Sequence, residues 1–509
     1  MPLTATAPTA PTGTNPADAD EATATALLNC LVREVSGPAG RATADGDRLT
    51  VRLGRTTLTA RLPRPSHGPS PRLAGPFLRD GEEIGWYEVA ELVAAELREW
   101  TGVANPEFLG QVVSSHQAMT AILRARETAP ASPLLASEQS LIAGHRFHPS
   151  PKARQGTPAT WLRYAPETGA RFRLGLLAAD PGLLCGEGDF GPLAAEGLLP
   201  VHPWQWRLLS GNPVLRRALA TGLVREAGPG PEAAPTSSVR TLLTGPGGAQ
   251  VFAKFSLDVR ITNCVRKNAW YELASAPALT RLLKPLLGAD LLGEPAYRTV
   301  ALADRNLYEG LGVILREAAP SDAVVAAALA DPWAGFLPEG VDPLEYWEAY
   351  ARAVALPALR LFFDHGVVLE PHLQNVLILH DASGIPSRAV FRDLEGTKLL
   401  PGPALRELEP AVRESVTYDE ERGWKRVAYC LFVNHLAEIA AALADRDPSC
   451  ERELWDRLRT ILGELPAHRR LTELLKGSPL PGKANLLTRW TRSPDRAARY
   501  VPVPNPMGA

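Results

Sequence analysis

The sequence predicts an α+β protein built from several lobes, and three observations predict it. Apolar residues recur at helical spacing near the N-terminus and again towards the C-terminus. Alternating apolar runs bounded by Gly and Pro fill the middle of the chain. At 509 residues the chain is also too long for one compact core.

In chain order, residues 1–20 are mostly Ala, Thr, Pro and Asp, with little to bury, and read as a disordered tail. A helix is expected around Ala26–Val35. Leu49, Val51 and Leu53, then Leu58, Ala60 and Leu62 after Gly54, alternate as a β-hairpin. Val89, Leu92, Val93, Leu97 and Trp100 fit one helix, and Leu109, Val112, Val113, Met119 and Ile122 another. Glu226–Pro235 is rich in Pro and Gly and reads as a loop between lobes. Two strand-like runs follow, SSVRTLLT and AQVFAKFSL, joined by Gly245-Pro246-Gly247-Gly248. More strands are expected at Tyr297–Leu302, Gly312–Arg316, Val376–Leu379 and Arg388–Phe391. A long helix is expected at Leu344–Phe363, kinked at Pro357. From Ala404 the pattern is helical, with Leu431, Val433, Leu436 and Ile439 as core. The expected organisation is a tail (1–20), an α-rich lobe with a hairpin (21–225), a sheet-bearing nucleotide region (226–400) and a helical end (401–509).

Composition excludes several function classes. Lys plus Arg number 54 against 56 Asp plus Glu, so no basic excess points to nucleic acid. Five scattered cysteines without a C-x-x-C pair fit neither a disulfide framework nor a zinc ribbon. The N-terminus lacks a basic-then-apolar signal, and no unbroken apolar run approaches a membrane span. A cytoplasmic protein without membrane or nucleic-acid partners is the expectation.

Chemistry concentrates in three segments. GHRFHPSPKARQG (Gly144–Gly156) gathers His145, His148, Lys152 and Arg154 in a Pro-broken loop suited to an anion such as a triphosphate, although a solvated basic loop fits equally. Next, Lys254 stands inside the apolar run of Val251, Phe252 and Phe255, the setting of a strand lysine that binds phosphate. Arg266 lies near the start of a following helix. Ser237, Ser238, Thr241 and Thr262 supply hydroxyls. The third segment, His365–Gly396, packs Glu370, His372, Gln374 and Asn375 before one strand and Asp393 after the next. An amide oxygen and a carboxylate at adjacent strand ends are hard ligands for Mg²⁺ on nucleotide phosphates. Satisfying all these polar groups internally would be costly, which favours function. In VHPWQWRL, Trp204 and Trp206 line a pocket or pack lobes with equal plausibility.

Together GHRFHPSPKARQG, HPWQW, KFSLDVRITNCVRKN, EPHLQNVLI and FRDLEG, in this order, resemble the IucA/IucC family of siderophore synthetases that work without a nonribosomal assembly line. The resemblance implies a cupped hand of fingers, palm and thumb, with a kinase-reminiscent nucleotide site in the central sheet. It implies an ATP-dependent ligase that adenylates a carboxylate, citrate foremost, and joins it to an amine or hydroxylamine, releasing AMP and pyrophosphate. ATP and Mg²⁺ are the implied cofactors, and a homodimer the implied assembly. By position, ATP binding falls to His145, His148, Lys152, Ser237, Ser238, Arg240, Thr241, Lys254, Arg266, Gln374 and Asn375. Catalysis falls to Arg266 and His372, substrate binding to Thr262, Asn263 and His372, and metal binding to Asn375, Asp393 and Glu370. The cations Arg266, Arg240, Lys254, His145, His148 and Lys152 exceed what a Mg²⁺-bound triphosphate needs, which favours a polycarboxylate substrate. Two other readings stand beside this one. A kinase-like phosphotransferase would use Glu370, Asn375 and Asp393, but no H-x-D triplet and no G-x-G-x-x-G loop accompany them. A scaffold that binds nucleotide without catalysis is the third.

Overall fold

The computed structural model describes residues 17–127, 131–245, 250–262, 264–494 and 498–508. The first helix spans Ala17–Leu31 and runs into a π-helical turn, Val32–Ser36. It begins inside the stretch expected to be tail; residues 1–16 of that stretch lie outside the described residues. Ala19 is fully buried and Asp20 meets His116 Nε2 at 2.6 Å. Alanines favour helix and allow close approach, so a segment without large side chains still docks.

The expected hairpin grows into a five-stranded antiparallel meander of β1 (Ala42–Asp45), β2 (Arg48–Leu53), β3 (Thr56–Arg61), β4 (Ala74–Arg79) and β5 (Glu82–Glu83). Leu49, Val51, Leu53, Leu58 and Ala60 are buried on one face, as their alternation requires. Helices Trp86–Thr101 and Phe108–Ala125 share its buried cluster. Trp100, grouped with the helix's apolar positions, is instead half exposed beneath the Arg41 guanidinium.

An eight-stranded antiparallel sheet forms the middle of the molecule. Its strands are β6 (Phe172–Ala179), β7 (Leu184–Glu187), β8 (Leu198–Val201), β9 (Val224–Pro235), β10 (Thr241–Thr244) and β11 (Val251–Phe255), with two more below. β12 (Leu257–Ile261) and β13 (Cys264–Arg266) form a separate hairpin. β14 (Ala296–Val300) and β15 (Val313–Arg316) complete the sheet in the order β7-β14-β15-β11-β10-β9-β6-β8. Glu226–Pro235 is therefore strand, not loop. Its pairing with β6 slips register twice, and such bulges accommodate prolines that a regular central strand rejects. The lobe boundary expected at residue 225 thus falls inside one sheet. Ser237–Arg240, expected to begin a strand, turns instead: Ser238 Oγ accepts the Thr241 N–H at 3.1 Å, and Val239 adopts φ 67°. The expected link Pro246–Gly248 lies outside the described residues.

β16 (Val324–Val325), β17 (Val367–Val368), β18 (Val376–His380) and β19 (Pro386–Phe391) follow, with β16, β18 and β19 forming a three-stranded sheet. The long helix spans Pro343–His365, capped by Asp342 and ended by left-handed Gly366, with Pro357 inside it. Leu431, Val433, Leu436 and Ile439 are fully buried. They lie on the helix Glu420–Ala444, long and apolar enough to cross a bilayer by length and composition, and almost wholly buried within the protein. Its middle, Tyr429–Leu436, is π-helical.

The two ends of the chain share cores. Leu486 and Trp490, on the helix Asn485–Trp490, join the buried cluster of the first helices and the β1–β5 meander. Glu34 accepts the N–H groups of Leu486 and Leu487 at 2.9 and 2.8 Å. Nearby, buried Arg64 reaches Asp445 at 2.8 Å, Glu451 at 2.7 Å and the Ala441 carbonyl at 2.9 Å. Truncating one member of such a buried charge network leaves its partners unpaired, at about 3–5 kcal/mol. Arg64→Ala is expected to lower the melting temperature by several degrees, read by calorimetry.

Candidate active site

Strand register builds the site. Thr241 on β10 stands opposite Lys254 on β11, which stands opposite Ile314 on β15. Alternation sends Lys254 to the same face as Phe252, towards the turn after β19. Lys254 is 1% exposed, with Nζ 2.6 Å from Asp393 Oδ1 and 2.8 Å from Glu395 Oε2. Arg240 pairs with Glu395 and donates to Asn268 Oδ1 at 2.6 Å. Asn268 in turn donates to the Lys254 and Gly312 carbonyls, both at 3.1 Å. Arg316 joins Glu294 at 2.6 Å and Asp393 Oδ2 at 3.3 Å. Asp393 itself adopts φ 73°, a conformation non-glycine residues hold only when their surroundings compel it.

Burial opposes these charges, but the pairs outweigh it. Lys254 is held above the ordinary lysine value by Asp393 and Glu395. Asp393 falls well below the carboxylate range through Lys254 and Arg316, and Glu395 falls to about 2 through Arg240 and Lys254.

A second network joins the Ser237 turn to the segment before β18. Glu138 Oε2 accepts from Ser237 N at 3.0 Å and Oγ at 2.6 Å, while Oε1 lies 2.5 Å from Arg392. Gln374 Nε2 donates to Ser237 Oγ at 3.0 Å, and Arg392 grips the Gln374 carbonyl. Asn375 donates to the Glu370 carbonyl at 3.2 Å, and its own carbonyl accepts the Arg392 N–H at 3.0 Å, next to Asp393. Glu370 pairs with Arg426 at 3.0 Å. His372 is depressed by burial, against the pull of Glu370 and Asp393, and so is neutral at pH 7.

The remaining expected residues divide. Arg266 lies on β13 and donates to Thr262 Oγ at 3.1 Å; Asn263 lies outside the described residues. Lys152 is committed to buried Glu167 at 2.6 Å, and Arg154 to the same carboxylate, which they bring down to about 2 against its burial. His145 and His148 accept N–H groups of their own loop, from Phe147 at 2.9 Å and Ser150 at 3.1 Å. The expected cation surplus is therefore partly spent: Lys152, Arg240 and Lys254 each face carboxylates of this chain. Trp204 is buried and stacked on Tyr164, so HPWQW packs rather than lines a pocket. Among the described residues no cluster of three His, Cys, Asp or Glu could hold a metal.

Sequence reasoning missed Glu138, Asn268, Glu294, Arg316 and Arg392. Arg316 ends an apolar strand as Lys254 interrupts one, and that shared signal was available. Glu138 sits in an ordinary helical stretch and gave none.

Besides His372, four histidines among the described residues are held neutral by burial: His145 to about 4, His202 to about 3, His380 and His435 to about 4. Below pH 6.5 the unfolded chain binds protons at these positions that the folded chain refuses. Their contribution is thus present above about pH 6.5 and lost as pH falls towards 4. Glu395 and Glu167 add a loss below about pH 4.5. Buried Glu34 and Glu272, raised to about 8 and about 7, act in the opposite sense and offset this loss near neutrality. The melting temperature is therefore expected to fall chiefly between about pH 6 and about pH 4; a flat profile there would contradict this.

Comparison with known proteins now decides the family. Residues 133–189 and 191–331 match the IucA / IucC family, and residues 344–498 match one described as "Ferric iron reductase FhuF-like transporter". The rhizobactin siderophore biosynthesis protein RhbC of Rhizobium meliloti is 30% identical over 450 residues, covering 73% of this chain and 75% of that protein. The chain belongs to the IucA/IucC family. Another similar member, the L-2,3-diaminopropanoate–citrate ligase of Staphylococcus aureus, is 28% identical over 449 residues, 73% of this chain and 74% of the ligase. In fold, this IucA/IucC member is similar to ATP-bound aerobactin synthetase IucA of Klebsiella pneumoniae, with a TM-score of 0.84 at 22% identity. That match covers 96% of this chain and 99% of the other, so both matched segments belong to one IucA-like fold.

Proposed function

We propose that this protein is an ATP-dependent ligase of siderophore biosynthesis. It adenylates one carboxylate of a small polycarboxylic acid, citrate first, and condenses it with an amine to an amide. The observation that carries this reading is the buried Lys254, set by strand register against Asp393 and Glu395 beside Asn375 and His372.

Lys254 and Arg240 position the triphosphate, Ser238 and Thr241 offer hydroxyls beside it, and Ser237, bound to Glu138, holds the turn. Arg266 meets the charge that grows when the acid's carboxylate oxygen attacks the α-phosphorus and pyrophosphate leaves. The amine then attacks the acyl carbon, AMP leaves with the acyl oxygen, and the amine sheds a proton. Neutral His372 can accept it. Asn375, whose amide nitrogen is spent on the Glu370 carbonyl, keeps its oxygen as a donor, and with Asp393 it would hold Mg²⁺. Bound there with nucleotide, Mg²⁺ would neutralise phosphate charge. Glu370, tied to Arg426, is poorly placed as the base a phosphotransferase needs. Where the cytoplasm supplies ATP, this chemistry has its substrate.

Pyrophosphate and AMP are expected in equal amounts, dependent on citrate and abolished by EDTA. ADP with a phosphorylated product would overturn the ligase in favour of the kinase, and no ATP turnover with any acid would favour the scaffold.

A further inference from the structure

One half-buried cation has no part in this chemistry. Arg146 follows His145 in a turn closed by the His148 N–H to His145 carbonyl bond at 3.1 Å. Among the described residues no acceptor takes a hydrogen bond from its guanidinium and no carboxylate pairs with it; its Nε is sealed from solvent without a partner. The carboxylates whose fields reach it are committed elsewhere. Glu438 serves Arg72 at 3.1 Å and Ser70. Asp445 serves Arg64 at 2.8 Å and Arg72 at 2.7 Å. Asp331 accepts the Trp333 N–H at 2.9 Å. Burial, with repulsion from Arg72, pushes Arg146 down to about 10.

His145 supplies a second, independent donor in want of an acceptor. Its Nδ1 accepts the Phe147 N–H, so the neutral ring carries its proton on Nε2, and that atom is sealed without a partner. Two donor nitrogens, neighbours in sequence and sealed within half-buried side chains, are costly left unmatched unless an oxygen anion completes them. Their surroundings lead to the proposed chemistry. His145 lies in the fields of Glu438 and Arg33 and, more weakly, of His372 and Lys483. Asp331, whose field reaches Arg146, follows the helix Ala326–Ala330, where the Ala327 N–H bonds the Leu373 carbonyl next to His372.

We propose that Arg146 is a carboxylate-binding residue of the acid site. It takes a carboxylate of the di- or tricarboxylate substrate other than the one adenylated, with His145 Nε2–H as second donor. Naming the acid substrate as its ligand rests on the ligase reading. A carboxylate on the amine substrate shares this chemistry, and the experiment separates the two sources.

The test compares the full-length protein with Arg146→Gln and Arg146→Lys. Citrate-induced shifts in melting temperature are read without nucleotide, and half-saturating citrate and ATP are read from pyrophosphate release. Arg146→Gln, relieved of an uncompensated half-buried charge, is expected to melt at or above the wild-type temperature without ligand. Its citrate shift is lost and half-saturating citrate rises roughly 10- to 100-fold, while that of ATP moves less than about twofold. Arg146→Lys lies between. Tricarballylate follows citrate, whereas propionate, with no spare carboxylate, is equally poor on both proteins. An unchanged citrate shift in Arg146→Gln overturns the proposal. So does a penalty that follows the carboxylate of 2,3-diaminopropanoate relative to ethylenediamine, or a lower melting temperature with citrate affinity intact. Because citrate protection is read without turnover, ADP formation would sink the ligase reading alone.

Discussion

Lys254→Ala is expected to abolish nucleotide-dependent turnover and to destabilise the protein by about 3–5 kcal/mol. Sequence alone suggests only weaker nucleotide binding, because a strand lysine looks like a phosphate contact and nothing more. Its ammonium, however, lies between Asp393 and Glu395 with 1% of the residue exposed. Removing it leaves two carboxylates facing each other with only Arg240 and Arg316 to compensate. Calorimetry reads the stability and ATP-dependent pyrophosphate release the turnover. The double variant Lys254→Ala/Glu395→Gln separates the two effects: stability should partly return, because one unpaired carboxylate is gone, while turnover should not. Full turnover in Lys254→Ala would remove Lys254 from the site.

The second large effect is expected at Arg266. Arg266→Ala should lower the rate of adenylation roughly 10²–10³-fold with the melting temperature nearly unchanged, the loss typical of one preorganised donor to a developing anion. The contrast with Lys254 follows from placement. Arg266 lies half-buried on a two-stranded hairpin and bonds Thr262, whereas Lys254 is the hub of a buried charge network. Thr262 adopts φ 55°, so Arg266 works from a constrained hairpin turn. Single-turnover measurement of acyl-adenylate separates this step from amide formation. A near-normal rate would transfer the role to another cation.

Much of the site was legible because its residues interrupt patterns. Lys254 breaks an apolar strand, and Asp393 and the His372–Asn375 run sit where strands begin or end. Periodicity fixes where such strands lie, and a polar residue inside one has to be explained. What stayed hidden depends on distant pairing. Glu138 meets Ser237 and Arg392 only after three separate segments assemble, and Lys152 meets Glu167 across a loop. The fold shows the same division. The β2–β3 hairpin and the Pro343–His365 helix follow from local spacing and caps. β9 does not, because its prolines and glycines argue for a loop, and only the register slips against β6 make a strand of them. Likewise the first helix, all small residues at its start, hid its docking until its neighbours were in place.

The placement of Leu486 and Trp490 sets a timetable for biosynthesis. These side chains fill the same buried cluster as Leu27, Val51, Val93 and Phe108, segments that leave the ribosome hundreds of residues earlier. The first lobe therefore waits through most of translation with an unfilled indole-sized socket and an uncapped Glu34. Vectorial synthesis cannot close it domain by domain, as chains with self-contained cores do. A nascent chain cut short before Asn485 carries its own exposed apolar surface. The helix Asn485–Trp490 acts as the latch: emergence of this segment, rather than completion of the first lobe, lets that cluster close.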